Sequence, residues 1–532
     1  MDTSAASTFS SVELGLFASR IAAICEEMGA LLGRVAFSPN IRDRLDYSCA
    51  LFNHRGHLLG QATHIPVHLG SMAYAMVDLV NSRQWQAGDM LILNDPYKGG
   101  THLPDITLVA PVFSANDLVG FCANRAHHAD IGSDAPGSMP LSSTLEEEGL
   151  LIPPTLLMKN NKVDSGVLQS MLQKLTNPDT SRGDFNAQIA ANLLATGRLQ
   201  DLVEASGLSE FEQREKSLQS WAETLARKSL AAIPNGSYQF EDYLDDDGHG
   251  QTDIPVKVTL NITGEGVDID FSGTAVQVEG NLNCPMPVTA AAVFYVLRCL
   301  MPAHLPACHG ALRGVRITAP EGCLVNATAP AAVAAGNVET SSRIVDVVCG
   351  ALSQAIPDQV PAASQGSMNN LAMGSHGEHG WDYYETLAGG MGAAFDSNGC
   401  SARHSHMTNT LNTPVEVLEL NYPLTIERYA IRRGSGGGGE FRGGDGIVRR
   451  YRFLADAEVS LLTERRRLSP WGLKGGEPGR CGRNELNGQK IPGKYCFKAI
   501  AGQTLTIKTP GGGGYGRRMV RKPYDMLDSG QF

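Results

Sequence analysis

The 532-residue sequence has little that is typical of a disulfide-bonded, membrane or nucleic-acid-binding protein. Its eleven cysteines are odd in number and form no C-x-x-C pair, so we expect reduced thiols. The longest apolar stretch, 288–301, is interrupted by Arg298 and is shorter than the roughly 18 residues of a membrane helix. The net charge of −11 argues against a nucleic-acid surface. Because no signal peptide is recognisable either, we expect a cytoplasmic protein.

Motifs of several common catalytic classes are also missing. There is no Gly-x-Ser-x-Gly nucleophile elbow, and the glycine-rich segment 434–446 lacks the Lys-Ser/Thr that completes a phosphate-binding P-loop. A flexible or tightly turning connection between strands explains that segment better. Cys284 and Cys308 could supply a nucleophilic thiol, but unpaired cysteines are usually small buried apolar residues. The chemistry therefore has to be sought elsewhere.

The chain is too long for one compact core, and hydrophobic residues make up 42% of it, so we expect a globular protein of several domains. Its patterns predict a mixed α/β (α+β) fold. We divide it into an N-terminal metal-site domain, a charged helical segment, a central α/β domain and a β-rich, glycine-rich C-terminal domain. The corresponding ranges are 1–165, 166–235, 236–410 and 411–532.

The first helix is the clearest local prediction. Ser10 and Glu13 have the spacing of a capping box. An apolar stripe with spacings of three and four follows it, typical of one face of a helix: Leu14, Phe17, Ile21, Ile24, Met28, Leu31 and Val35. Further helices are predicted at about 71–82, 286–300 and 337–356.

A β-hairpin formed by 105–113 and 118–125 follows the loop sequence NDPYKGGTHLPDITL at 94–108. If Phe113 pairs with Leu118, the antiparallel register of the whole hairpin is set. The polar residues near its open end can then be placed relative to one another.

This register places Asp105 opposite Ala126 and His127 opposite Pro104, with His102 just beyond the same end. Facing positions on antiparallel strands are roughly 5 Å apart. Two imidazoles and a carboxylate at that separation suit a divalent metal ion. The alternative is that these are solvated loop histidines, since a single H-x-x-D pattern has no specificity.

A fourth ligand would complete the site. Asp46, at the start of an earlier hairpin, is the better candidate because its position is rigid, and Asp43 is the alternative. A set of two histidines and two aspartates favours Zn, Mn, Fe or Co over Mg or Ca. Further candidates for acid–base or supporting roles are His64, His68, His128 and Asp130. The sequence His-His-Ala-Asp at 127–130 could instead cap a helix or stabilise a loop.

Two charged segments look less specific. The segment 463–467, TERRR, is interpreted as a solvated strand end, with an anion-binding patch as the alternative. The three aspartates at 245–247 are interpreted as an exposed turn.

The sequence resembles the hydantoinase B/oxoprolinase family from about residue 36 to residue 516. The motifs that carry the resemblance are RLDYSCALFN, THIPVHLGSM, NDPYKGGTHLPDITL, RAHHADIG, DFSGT, NTPVEVLELNYPL, GGDGIVRRYRF and TERRRLSPWGLKGGEPG. The loop motif and the downstream His-His-Ala-Asp are the most specific. One segment, ACHGALRGV at 307–315, departs from the Asn-Asp-Gly stretch of many relatives, and substrate specificity would differ if it touches substrate.

The resemblance implies a subunit of an ATP-dependent enzyme. It implies a hydantoinase A-type partner that binds ATP and Mg, a small cyclic amide as substrate and a higher hetero-oligomer, with neither nucleic acid nor membrane as a partner. The family's metal ligands match Asp46, His102, Asp105 and His127 here.

The resemblance also implies a reaction, the hydrolysis of a hydantoin, N-methylhydantoin, 5-oxoproline or lactam ring. The partner would phosphorylate the amide oxygen, and the metal site would activate water, with His128 or Asp130 accepting a proton. An alternative is an ATP-dependent, biotin-independent carboxylase of the acetone or acetophenone type. A third is a non-catalytic scaffold for the ATP-binding subunit, against which the retained ligand set argues.

Overall fold

The computed structural model describes residues 9–133, 135–264, 266–375 and 380–518. Within these ranges the chain forms four β-sheets with helices packed against them. The fold is therefore mixed α/β with several layers, as the sequence predicted. None of the described helices has the length and apolar character that crossing a membrane requires.

The N-terminal part contains one seven-stranded sheet with the order β2-β1-β5-β4-β3-β6-β7. Its helices are α1 (Ser11–Val35), α2 (Pro39–Arg42) and α3 (Pro66–Asn81). Its strands are β1 (Tyr47–Asn53), β2 (Leu58–Gln61), β3 (Met90–Leu93), β4 (Asp105–Ser114), β5 (Asp117–His127), β6 (Thr155–Lys159) and β7 (Lys162–Val163).

The capping box at the start of α1 is confirmed, since the Ser10 hydroxyl accepts a hydrogen bond from the Glu13 backbone N–H and the Glu13 carboxylate accepts one from the Ser10 N–H. The apolar stripe is buried as far as Met28, but Leu32 rather than Leu31 continues it and Val35 is exposed. The end of the stripe was therefore predicted one turn too far.

The charged segment after β7 is helical, as predicted. It forms α4 (Ser165–Leu172), α5 (Pro178–Ser206) and α6 (Leu208–Leu230). Helix α5 packs against α1 and against β4 and β5. Helix α5 therefore covers one face of the β4–β5 hairpin, the hairpin that carries the candidate metal ligands.

The central part contains a four-stranded sheet with the order β11-β10-β9-β8. Its strands are β8 (Gly236–Asp246), β9 (Thr252–Thr263), β10 (Gly266–Asp270) and β11 (Val315–Thr318). Its helices are α7 (Met286–Cys299) and α8 (Ser341–Leu352). Helix α7 packs on α3, and α8 packs on β8 and β9. A five-residue π-helical turn, Gly336–Thr340, precedes α8.

The C-terminal part contains two further sheets, with the orders β13-β12-β16-β19 and β14-β15-β20-β17-β18. Its only α-helix in the described range is α9 (Val415–Asn421). Its strands are β12 (Asn370–Ser375), β13 (Trp381–Glu385), β14 (Leu424–Ile431), β15 (Ile447–Phe453), β16 (Ala457–Leu462), β17 (Arg483–Leu486), β18 (Gln489–Ile491), β19 (Lys494–Ala499) and β20 (Thr504–Lys508). The first of these sheets joins strands from both sides of residue 410, and the division into four domains stays a prediction.

The glycine-rich segments pack directly on one another. A Cβ atom added to Gly436 would lie 1.9 Å from the Gly443 carbonyl oxygen, and one added to Gly512 would lie 2.0 Å from the Met391 carbonyl oxygen. The Gly437 N–H also donates to the Gly512 carbonyl at 2.9 Å. The glycines of 434–446 therefore permit close backbone contact.

The interpretation of the two charged segments as solvated was wrong for most of their residues, although Arg467 is exposed. Asp245 and Asp247 are each 1% exposed, and Arg465 is equally buried. The Asp245 carboxylate accepts hydrogen bonds from the backbone of 466–468, and the Arg465 guanidinium contacts Asp242 at 2.6 Å. The segment around Asp245 and the segment 463–467 are therefore buried against each other, although they lie about 220 residues apart. Because each needs the other as its polar partner, the local sequence of either segment did not predict its burial.

Candidate metal centre

The β4–β5 hairpin brings the predicted residues together through a register that differs from the predicted one. Phe113 pairs with Leu118 as expected, but a bulge beside this pair inserts one extra residue into β5. From there on the register is shifted by one position, so Asp105 faces His127 rather than Ala126. The predicted pairing was wrong at the open end, and the correct one brings the carboxylate directly opposite an imidazole.

Asp105 is the centre of the resulting cluster. Its Oδ1 lies 3.1 Å from His102 Nε2 and 3.1 Å from His127 Nδ1. One ligand atom from each of these three residues lies within 4.8 Å of the others, and all three side chains are buried. This donor set, two imidazoles and a carboxylate, suits a transition-metal ion.

Asp46 and His68 lie next to the cluster. His68 Nε2 is 3.1 Å from Asp105 Oδ2 and 4.0 Å from Asp46 Oδ1. Asp46 is held by Arg44 at 3.6 Å, and its carbonyl accepts the His127 backbone N–H. The role of Asp46 as a fourth ligand stays a prediction, and His68, on α3, contacts Asp105 directly.

The orientations of the two histidine rings favour metal binding. His102 Nδ1 is 3.2 Å from the Ala334 carbonyl oxygen, and in the neutral ring donation to that oxygen leaves the lone pair on Nε2, beside Asp105. His127 Nε2 is buried and has no hydrogen-bond partner among the described residues. A buried imidazole nitrogen without a partner is uncommon unless it binds an ion or water.

The charges in the cluster also suit metal ligands. Burial raises the pKa of Asp105, but His102 and His68 lower it more, so the net pKa lies well below its usual range. Burial lowers the pKa of His127. The carboxylate is therefore ionised and His127 is neutral, the protonation states in which these side chains bind metal ions.

His128 and Asp130 make their contacts towards α5 instead. His128 Nε2 lies 2.9 Å from Gln188 Oε1, and its ring packs near Phe185. The Asp130 carboxylate accepts the backbone N–H of Asn177, just before α5. These contacts position the loop after β5, and the catalytic role of both residues stays a prediction.

The remaining candidates lie apart from the cluster. Asp43 forms an ion pair with Arg42 at 3.0 Å. His64 Nδ1 accepts the Cys49 backbone N–H at 3.2 Å, its ring packs edge-on against Tyr47, and burial lowers its pKa to about 4. Both residues have other partners, and the roles of Asp43 as an alternative ligand and of His64 as a supporting residue stay predictions.

The segment that departs from the family pattern lies away from the metal ligands. Within 307–315, the Gly310 N–H donates to Gln219 on α6, and the His309 ring stacks on His57 at 4.1 Å. Burial raises the pKa of Cys308 to about 11, which does not favour a thiolate nucleophile.

Sequence reasoning missed several residues around the cluster. Thr101 donates to Asp105 Oδ2 at 2.6 Å, and the Tyr384 ring stacks on His127 with centroids 4.6 Å apart. Asn337, in the π-helical turn, places Nδ2 3.1 Å from His102 Nε2. Thr101 lies within the loop motif, next to His102, whereas Tyr384 and Asn337 are more than 230 residues from the histidines they contact, and no pattern linked them.

Comparison with known proteins identifies relatives over nearly the whole chain. The family model described as hydantoinase B/oxoprolinase matches residues 10–518. An uncharacterized protein of Methanocaldococcus jannaschii is 41% identical over 505 residues, covering 93% of this chain and 88% of that protein. A Pseudomonas protein provisionally named as a D-/L-hydantoinase subunit is 30% identical over 536 residues, covering 95% and 89%.

A longer relative is the 5-oxoprolinase of Dictyostelium discoideum. It is 38% identical over 523 residues, which cover 95% of this chain but 40% of that protein. The chain therefore spans about two fifths of the length of this relative.

Two solved structures share the fold. The ATP-dependent caprolactamase from Pseudomonas jessenii matches with a TM-score of 0.90 and 26% identity, covering 96% of this chain and 93% of that chain. An acetone carboxylase structure matches with a TM-score of 0.84 and 19% identity, covering 96% and 76%. At 19% identity the second match establishes a common fold alone.

Proposed function

Because this chain belongs to the hydantoinase B/oxoprolinase family, we propose that it is the metal-binding subunit of an ATP-dependent cyclic amide hydrolase. Its substrate class is a hydantoin, N-methylhydantoin, 5-oxoproline or lactam ring. Its partner is a hydantoinase A-type subunit that binds ATP and Mg, in a higher hetero-oligomer located in the cytoplasm.

The observation that carries this proposal is the buried Asp105 carboxylate, contacted by His102 and His127 at 3.1 Å each, within a fold that matches a caprolactamase. Asp46 is the proposed fourth ligand, and the set favours Zn or Mn, with Fe or Co as further possibilities. Such an ion supplies Lewis acidity, which lowers the pKa of coordinated water to about 7.

The partner's phosphoryl transfer would overcome the low reactivity of the amide. The γ-phosphoryl group of ATP would transfer to the amide oxygen as its bond to the β-phosphate oxygen breaks and ADP leaves, and the ring nitrogen would lose its proton, giving an imidate phosphate. Water would add to the activated carbon, the C=N pair would move to nitrogen, and nitrogen would take a proton. The hydroxyl proton would then pass to nitrogen as the C–N bond breaks with its electron pair on nitrogen, leaving an amine and an acyl phosphate. A second water would release phosphate from the acyl phosphate.

The residues of this chain would position the reactants and move protons. Ionised Asp105 and the Ala334 carbonyl keep the His102 ring in one orientation. Proton transfer is the role we propose for His128 and Asp130. His68 is a further candidate, because its Nε2 lies within 4.0 Å of both Asp46 and Asp105.

The test is elemental analysis of the purified chain together with turnover in the presence of an A-type partner. We expect about one metal ion per chain in the wild type, and we expect His102→Ala and Asp105→Ala to lose both the ion and ATP-dependent ring opening. The matched control is His54→Ala, since His54 is an exposed histidine on another hairpin of the same sheet.

Other outcomes would contradict specific parts of the proposal. A wild-type chain without metal, or His102→Ala with unchanged turnover, would remove the metal-dependent role and favour a scaffold. Turnover that requires bicarbonate and yields a carboxylated product would establish the carboxylase instead.

A further inference from the structure

Asn337 is a buried polar residue at the metal centre that has no assigned role. It is 3% exposed and belongs to the π-helical turn Gly336–Thr340. Turns of this type are rare and are frequently found at functional sites. Its Nδ2 is 3.1 Å from His102 Nε2, whereas its Oδ1 has no hydrogen-bond partner within the described part of the chain.

The backbone that carries Asn337 is anchored at several points. The Val333 and Ala334 N–H groups both donate to Glu148 Oε1, at 2.7 and 2.8 Å. A Cβ atom on Gly336 would lie 1.9 Å from the Asn283 carbonyl oxygen, so the turn is packed tightly against that segment. The backbone at Asn337 is therefore fixed before any ligand binds.

The hydrogen bonds of His102 indicate which kind of ligand the Asn337 amide would bind. A metal ion binds the neutral imidazole, and in the neutral ring a proton on Nδ1 donated to the Ala334 carbonyl leaves the lone pair on Nε2. A metal ion on that lone pair would leave the Asn337 N–H without its acceptor. The buried amide would then have both a free donor and a free acceptor, and a buried polar group of this kind requires a hydrogen-bonding ligand.

We propose that Asn337 binds and orients the water molecule that attacks the activated ring carbon, an inference that rests on the proposed function. Asn337 and its neighbours His102 and Val338 are each at most 3% exposed, which suits a ligand as small as water. Water can donate to Oδ1 and accept from Nδ2, and buried waters usually have two to four polar partners. Held in this way, its oxygen keeps a lone pair free to bond to the ring carbon.

Asn337 is accordingly a catalytic residue whose removal should lower the rate of ring opening more than substrate binding. We expect Asn337→Leu, which keeps the approximate shape but removes the amide, to reduce kcat about 100-fold with little change in KM. Asn337→Asp keeps an acceptor oxygen and should recover part of this loss. The control is Ser342→Ala, because the Ser342 hydroxyl donates to the Val338 carbonyl in the same turn.

A second measurement avoids dependence on turnover. Fluoride can replace water as a small ligand that accepts hydrogen bonds, so it can be titrated into the Co²⁺-loaded full chain and followed by visible absorption. We expect the fluoride Kd to rise about 10-fold in Asn337→Leu because one donor to an anion is lost. The cobalt content and melting temperature should stay close to the wild-type values, and Ser342→Ala should leave the Kd unchanged.

The outcomes separate this inference from the proposed function. Equal fluoride affinity in wild type and Asn337→Leu, or loss of cobalt from that variant, would overturn the role of Asn337 and leave the metal site standing. Wild-type chain that binds no cobalt would overturn both.

Discussion

Asp105 connects most of the polar groups in the metal centre. Its two oxygens contact three histidines and the Thr101 hydroxyl, and the carboxylate is fully buried. An ionised carboxylate in such a position is stabilised by its neighbours rather than by water. A change to a neighbour that is not itself a ligand, such as Thr101, should therefore alter metal affinity without removing a ligand.

Thr101→Val tests this at the level of one hydroxyl. The substitution keeps the branched shape but removes the donor to Asp105 Oδ2, so the carboxylate loses part of its orientation. We expect the metal dissociation constant to rise about 10- to 100-fold, measured by competition with a chelator. Thr63→Val, at an exposed threonine, should leave it unchanged.

Metal binding should also depend on pH in a way set by His102. Burial lowers the pKa of His102, but Asp105 raises it more. In the metal-free chain the pKa of His102 therefore lies above the ordinary 6.5. The proton stabilises the metal-free fold below that pKa, and this contribution is lost as the pH rises through it. A metal ion must displace the proton.

As the pH falls, metal affinity should consequently begin to weaken while the pH is still above 6.5. Chelator competition from about pH 8.5 to about pH 6 measures this dependence, since histidines titrate in that range. A dissociation constant that stayed constant down to pH 6.5 would show that the Asp105–His102 interaction does not control metal binding.

Among the elements, the hairpin shows how much the sequence can position. The alternation of residues predicted β4, β5 and the Phe113–Leu118 pair, which were correct. The bulge that brings Asp105 opposite His127 has no signal in the pattern, because one extra residue is accommodated by twist and packing. The sequence alone could not predict this one-residue shift in register. The prediction that His102, Asp105 and His127 lie close together nevertheless held, because a shift of one residue moves the facing positions only slightly.

The packed glycine segments allow a prediction at the scale of elements. Gly512→Ala would bring a methyl group 2.0 Å from the Met391 carbonyl oxygen, so the backbones would have to separate. We expect the free energy of unfolding to fall by about 1–3 kcal/mol in urea denaturation. Gly197→Ala, in α5 with open space around it, should raise it by about 0.5–1 kcal/mol. Equal effects at the two positions would contradict close packing.

At the scale of the whole molecule, a buried ionic network joins distant parts of the chain. Arg465 lies 2.6 Å from both Asp242 on β8 and Asp346 on α8. Removing Arg465 would leave Arg343 to pair with both carboxylates, of which Asp346 already has its pKa raised to about 7, mainly by burial.

Arg465→Met should therefore lower the free energy of unfolding by about 3–5 kcal/mol. The neighbouring Arg467 provides the matched control, since it is 46% exposed and pairs with the equally exposed Asp253. Arg467→Met should change stability by less than about 1 kcal/mol in the same denaturation experiment. Similar losses in the two variants would show that the network does not act through burial.

The sequence by itself determined the elements and the chemical types of the site residues. Local propensities and short spacings specify the capping box of α1, the helices of the charged segment and the histidine–carboxylate motif on one hairpin, because these depend on residues a few positions apart. Tertiary structure decided what depends on distant residues. It decided that Asn337 and Tyr384 contact the histidines, and that Arg465 is buried, because the partner that makes each position favourable lies more than 100 residues away and leaves no trace in the local pattern.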